Sequence, residues 1–264
     1  MSDFGFCWLL HFAIIYGGLI LIYFVLGLVI TLTNRRFVAH RKIQNKATPG
    51  KLIARDMVQS VLSLAQISLF LALGLSMRAS GVGFRPWRSN LWTWAPCLIV
   101  SLILFDTCFY WGHRLLHTRT LYRLAHRWHH AVTTPIVWSN NSDTFLDNLI
   151  LQSYWAIAPL VFPAPSIVFI IHKIYDQVSG MIGHSGYEYN AGMARFPSPL
   201  LAVTHHDQHH QYFRYNFATH FVVWDRVMHT LHPEYDQSIE QRKAVRQAGS
   251  LTECPSDILS YRSR

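Results

Sequence analysis

Leu9 to Leu32 reads LLHFAIIYGGLILIYFVLGLVITL, a run with no Asp, Glu, Lys or Arg, interrupted only by His11 and a few hydroxyls. At ~1.5 Å of rise per residue it makes ~36 Å of helix, enough to cross a hydrocarbon core of ~30 Å with some tilt. A cleaved leader would have a basic start and a shorter apolar centre. This run follows Asp3 and is too long, so it is expected to be a first membrane span.

Outward from that run, Asn34 to Asp56 holds Arg35, Arg36, Arg41, Lys42, Lys46, Lys51 and Arg55 against a single acid. An excess of cations marks a cytoplasmic loop. A second span is expected over Met57 to Met77 and a third over about Trp92 to Trp111. The loop between them carries Gly81, Gly83 and Pro86 and faces the other side. The third span therefore returns to the basic side and delivers His113 there. Thr144 to Phe162 and Ser166 to Gly183 are two further apolar stretches, separated by Pro163-Ala164-Pro165. Prolines so placed stop one helix and start another, which predicts a helical hairpin dipping into or crossing the membrane. The polar chain beyond Gly183 is expected to be cytoplasmic.

The expected fold is an all-α integral membrane protein of about four to five apolar helices or hairpins, with a cytosolic, histidine-rich di-metal helical cap. One domain is expected over 1–264, with spans in 1–92, a catalytic region in 93–232 and a cytosolic tail in 233–264. Composition agrees. Charged residues make up 14% of the 264, against ~25% in soluble domains, while 51% are hydrophobic. The net charge of +9 comes from basic residues that flank the apolar runs. It fits a membrane surface and gives no reason to expect nucleic acid as a partner. Cys7, Cys97, Cys108 and Cys254 have no paired spacing and outline no disulfide framework.

Histidine is the anomaly, with 16 residues, most of them clustered. His113 and His117 lie four apart. His126, His129 and His130 form an H-x-x-H-H box, and His206, His209 and His210 repeat that spacing, with His205 and Asp207 beside them. His184 follows the hairpin. Positions i, i+3 and i+4 of a helix share one side, so each cluster is expected to present two or three imidazoles to a single point. His113, His117, His126, His129, His130, His184, His206, His209 and His210 are nine candidate ligands, too many for one metal and about right for two. Imidazole suits iron, zinc, copper or nickel. His11, His40, His172, His220, His229 and His232 stand alone and are read as hydrogen-bonding residues. Asp106 lies in the third apolar run, seven residues before His113. An acid there is expected either to accept a hydrogen bond from a ligand imidazole or to join two helices. Asp207 and His205 are placed in the same supporting role. A metal transporter would set its ligands in mid-membrane on several spans, and a haem protein would oppose single histidines across helices. Neither fits clusters at one membrane exit.

The boxes H-x-x-x-H, H-x-x-H-H and H-x-x-H-H, in this order between apolar runs, resemble the fatty acid hydroxylase and sterol desaturase superfamily from about Asp106 to Thr230. Phe105-Asp106-Thr107, His184-Ser185-Gly186-Tyr187, Tyr215-Asn216-Phe217 and Trp224-Asp225-Arg226 fit the same pattern. Arg55-Asp56, Gln59 and the third box are most similar to sphinganine 4-hydroxylases. The 4-methylsterol oxidases share the His184 element and the third box and are the close alternative. Two departures stand out: His229-Thr230-Leu231 replaces a usual Gly-Thr-Tyr, and His205 replaces a frequent aromatic. The resemblance implies two non-haem irons, O2, a lipid substrate taken from the bilayer and residence in the endoplasmic reticulum. It also implies electrons from NADPH through cytochrome b5 and its reductase. Inserting oxygen into a C–H bond needs a redox metal, which zinc is not. A basic cytoplasmic face suits an acidic electron carrier supplied as a separate partner.

Overall fold

The computed structural model describes residues 2–189 and 191–251, with side chains from Phe4 to Lys243 apart from Asn190. The far end of the expected tail, with Cys254, lies outside the described residues. Among those described there are helices and no strands, the only bridges being Lys42 with Tyr187 and Leu200 with Phe221.

Three helices are long and apolar enough to cross a membrane: α1 (Ser2–Phe37), α2 (Gly50–Ala79) and α3 (Leu91–Leu116). Each overruns its expected range. Arg35 and Arg36 sit in the last turn of α1 and Arg78 in that of α2, where cations complement the helix dipole. Asn90 caps α3 by accepting from the Thr93 N–H, while Thr93 Oγ1 accepts from the Asn90 N–H. The most apolar stretches of α1 and α3 are 22% buried, against 56% for α2. So α2 is the central helix, and α1 and α3 turn most of their surface to lipid. Its inner face alternates large with small, Leu64, Ile67 and Leu71 with Ser60, Ser63, Ser68 and Gly74. A Cβ on Gly74 would stand 2.7 Å from the Ala156 carbonyl oxygen, so glycine is what lets the neighbouring helix approach.

The expected hairpin forms, but its first arm is broken. It runs as α5 (Phe145–Leu151) and α6 (Tyr154–Val161), after the single turn α4 (Arg119–Leu121). The break falls where polar side chains are committed elsewhere. Asn148 donates to Ser63 Oγ at 2.8 Å, and Gln152 accepts from the Trp155 indole at 2.8 Å. The second arm, α7 (Ser166–Gly183), keeps its expected limits. Tyr23, Leu64, Ile67, Leu71, Phe105, Trp155 and Phe169 form the core between these helices. The basic loop packs on the histidine end: Ile43 N donates to Gly186 O at 2.9 Å, and Glu188 N to Arg41 O at 3.1 Å. The cap is completed by α8 (Val203–Tyr212), α9 (Val223–Val227) and α10 (Tyr235–Leu251).

Candidate metal centre

Five backbone contexts supply the nine histidines. His113 lies in the last turn of α3, and His117 caps it. The second box is not the regular helix expected: Tyr122–His126 is a π-helical turn, and His129–Ala131 is a 3-10 turn. His184 caps the C-terminus of α7, and His206, His209 and His210 ride on α8.

All nine converge, in two groups. One ring nitrogen from each of His113, His117, His126, His130 and His209 lies within 4.8 Å of the others, and the same holds for His129, His184, His206 and His210. Each cluster thus presents two imidazoles to a single point, as expected, while the third ring of each H-x-x-H-H box goes to the other group. On α8, positions 206 and 210 are about 40° apart around the helix, whereas 209 sits about 60° to the other side of 206. It leaves the group of its neighbours and joins that of His113.

Five of the outer nitrogens are held by hydrogen bonds, and inner ones face each other. His113 Nδ1 donates to Phe217 O at 2.8 Å, His209 Nδ1 to Tyr215 O at 2.7 Å, and His210 Nδ1 to Val132 O at 2.9 Å. His184 Nδ1 donates to Gly180 O at 3.2 Å. His126 Nδ1 lies 3.0 Å from Asp147 Oδ1, and His129 Nδ1 lies 3.1 Å from Asp143 Oδ1. A carbonyl or carboxylate only accepts, so His113, His126, His184, His209 and His210 each carry a proton on Nδ1 and point a lone pair inward from Nε2. Yet His113 Nε2 is 3.1 Å from His126 Nε2, and His184 Nε2 is 3.4 Å from His129 Nε2. The Nε2 atoms of His117 and His210 are buried with no partner at all. Facing lone pairs and orphaned acceptors are unfavourable unless a cation lies between them. The donor set therefore fits a metal in each group.

Burial pushes the charged forms of His117, His126, His130, His184, His206, His209 and His210 well below the ordinary imidazole range, which keeps them neutral and free to ligate. His129 is driven the other way. Burial opposes its charge, but the carboxylates around it, Asp143 first and then Asp147 and Asp56, together raise it.

The fatty acid hydroxylase family profile matches residues 98–230, half of the chain and all nine histidines. The chain belongs to the fatty acid hydroxylase family. It is 29% identical over 225 residues to a C-4 methylsterol oxidase of Schizosaccharomyces pombe, covering 78% of this chain and 70% of that one. It is 28% identical over 184 residues to a lathosterol oxidase of Mus musculus, covering 66% of this chain and 60% of the relative's length. A methylsterol monooxygenase of Arabidopsis thaliana is 25% identical over 243 residues, 87% of each chain. No solved structure matches. This member of the family thus has sterol-modifying relatives, and its spans, helical fold and histidine clusters agree with that membership.

The supporting residues differ from expectation. Asp106 touches no histidine ring of the centre. Its Oδ1 accepts the backbone N–H groups of Thr219, His220 and Phe221 at 3.2, 2.7 and 3.2 Å. His205 pairs with Asp225 at 3.0 Å, and Asp207 accepts from Gln44 at 3.0 Å. Asp225 also accepts from Phe217 N and Ala218 N, both at 2.9 Å. Asp106 and Asp225 together pin the 217–221 loop, whose Phe217 carbonyl holds His113, so they act one step further out than expected. The acids that do meet ligand rings, Asp143 and Asp147, are missed by the sequence reading. Their signal was available, since Asp147 interrupts an apolar stretch just as Asp106 does. Of the lone histidines, His11 meets Ser76 Oγ at 2.7 Å and His172 meets Ser101 Oγ at 2.8 Å, as hydrogen-bonding residues should.

A cavity of about 370 Å³ opens on His113, His126, His129, His184 and His206. Histidines of both groups therefore face one cavity.

Proposed function

We propose that this chain is a membrane di-iron oxygenase that oxidises an unactivated C–H position of a sterol-class lipid drawn from the bilayer. The observation that carries it is the pair of all-imidazole groups, whose ring nitrogens converge and whose members face one cavity. His113, His117, His126, His130 and His209 hold one iron, and His129, His184, His206 and His210 hold the other. The irons supply the redox chemistry that imidazole and carboxylate lack. In a hydroxylation, O2 with two electrons and two protons puts one oxygen on the lipid carbon and releases the other as water. The electrons reach the site from NADPH through cytochrome b5 and its reductase, docked against the basic face. The histidine end lies in the cytosol, and the membrane is that of the endoplasmic reticulum.

The chain's own groups have defined tasks. Asp147 and the carbonyls of Phe217, Tyr215, Gly180 and Val132 hold five of the rings in the tautomer that ligates, and Asp143 lies beside a sixth, His129. The cavity admits the substrate and orients it against the histidines. The sterol class is preferred over the sphingoid base because the relatives described above are named for sterols, one over 87% of both chains.

The test uses a yeast strain lacking its own C-4 methylsterol oxidase, given this chain or its His206→Ala variant. Sterols and long-chain bases are profiled by mass spectrometry. Loss of 4-methylsterols with the native chain alone is the expected result. Phytosphingosine in place of that change would overturn the substrate class, and no oxidised lipid from a metal-loaded chain would overturn the oxygenase reading.

A further inference from the structure

At the wall of the cavity that exposes both histidine groups, a second set of charged and polar side chains is buried without a part in holding metal. Lys173 and Asp176, one helical turn apart on α7, pair at 2.6 Å, and the lysine is 2% exposed. Lys173 Nζ also lies 5.1 Å from the centre of the Trp155 ring. Facing the pair is His220, 4% exposed, with Nε2 3.6 Å from Asp176 Oδ1. That gap is too long for a hydrogen bond, and both ring nitrogens of His220 are buried with no partner. His220 is nevertheless held in place. Its backbone N–H is fixed by Asp106 at 2.7 Å, and the rings of Phe105 and Tyr175 lie 5.6 and 5.2 Å from its own. Asp176 and His220 both line the cavity.

A rigid, unsatisfied imidazole beside a carboxylate oxygen asks for a partner that can accept from one and donate to the other. A hydroxyl does both. A cationic group does not suit the place, because Lys173 already neutralises Asp176 and would oppose a second positive charge. An anionic group meets Asp176 itself. We propose that Asp176 and His220, with Lys173 behind them, form the anchor for a neutral lipid hydroxyl, so that a hydroxysterol is seated and a sphingoid ammonium refused. The hydroxyl donates to Asp176 and accepts from the ring N–H of His220. An anchor in the same cavity as the histidines sets which substrate carbon comes within reach of them. The inference rests on the oxygenase reading only for the reaction that follows binding.

The test measures binding apart from turnover. The purified chain, metal-loaded in detergent, is titrated with a 3-hydroxy-4-methylsterol, with its 3-methyl ether and with sphinganine, following protection against thermal unfolding. The ether still accepts but cannot donate. The expected result is that the hydroxysterol binds about tenfold tighter than either of the others. His220→Phe and Asp176→Asn should each remove that preference while the metal content is unchanged. Equal affinity for alcohol and ether in the native chain overturns the anchor whether or not the variants fold, and so does a preference for sphinganine. A hydroxysterol bound with the expected preference but never oxidised upholds the anchor and defeats the proposed reaction.

Discussion

The two H-x-x-H-H boxes have one spacing and two backbones. His126, His129 and His130 lie on a π-helical turn followed by a 3-10 turn, whereas His206, His209 and His210 lie on a regular α-helix. Both boxes nevertheless divide their histidines alike. The first and last, at i and i+4, stay together, and the middle one, at i+3, crosses to the other group: His129 joins the group of His206 and His210, and His209 joins that of His126 and His130. Each box thus gives two rings to one group and one to the other. This spacing ties the two histidine groups into one unit, whatever backbone lies beneath it, as long as the middle ring is turned away.

The largest effect that can break this comparison comes from single ligands. His130→Ala and His209→Ala come from different boxes but the same group. His129→Ala and His210→Ala form the corresponding pair for the other group. Each should lower turnover by at least about 100-fold, since losing a ligand exceeds the 10–100-fold typical of losing the group behind one. Elemental analysis should show about one metal per chain in every case, against two in the native protein. The residual iron spectra should sort by group, His130→Ala with His209→Ala. Spectra that sort by box instead would refute the crossed allocation.

Much of this was legible in the sequence. The three spans, the side on which the basic loop lies and the nine histidines follow from runs and spacings, because apolar length and residue type are local properties. The division of the nine between two groups was not, since it depends on which rings from distant segments fold opposite one another. Nor was the partner of Asp106, which lies 113 to 115 residues away in the 219–221 backbone. Its position on the face of His113 suggested a neighbouring ring, whereas folding brings a loop between them. The carbonyls that hold His113, His184, His209 and His210 are invisible in any sequence because every residue has one. Asp147 was the avoidable omission.

A middle-sized effect sharpens the same comparison from behind the ligands. Asp147 holds His126 in one group, and Asp143 holds His129 in the other. Asp147→Asn and Asp143→Asn should each weaken metal binding about 10–100-fold at one site only. Asp147 is fully buried and Asp143 is not, so the Asp147 variant should lose more. Chelator competition followed by iron analysis measures both losses. If the two variants release the same metal, the acids do not report on separate groups.

The smallest effect concerns a side chain that hydrogen-bonds beside both boxes. Gln44, in the basic loop, donates through Nε2 to Thr133 O and to Asp207 Oδ1, each at 3.0 Å, and accepts from Thr134 Oγ1 at 3.2 Å. Thr133 and Thr134 follow the second box, and Asp207 lies inside the third. Gln44→Ala leaves these groups partly unsatisfied near the surface, where water can replace some of the loss. About 1 kcal/mol of stability should go, seen as a fall of about 2–4 °C in the thermal midpoint, with metal content unchanged. Asp207→Asn should add less to Gln44→Ala than it costs alone, because the two share a bond. If Gln44→Ala instead loses metal, the boxes are not positioned by their own ligands and backbones, and the basic loop must be counted as part of what holds them in register.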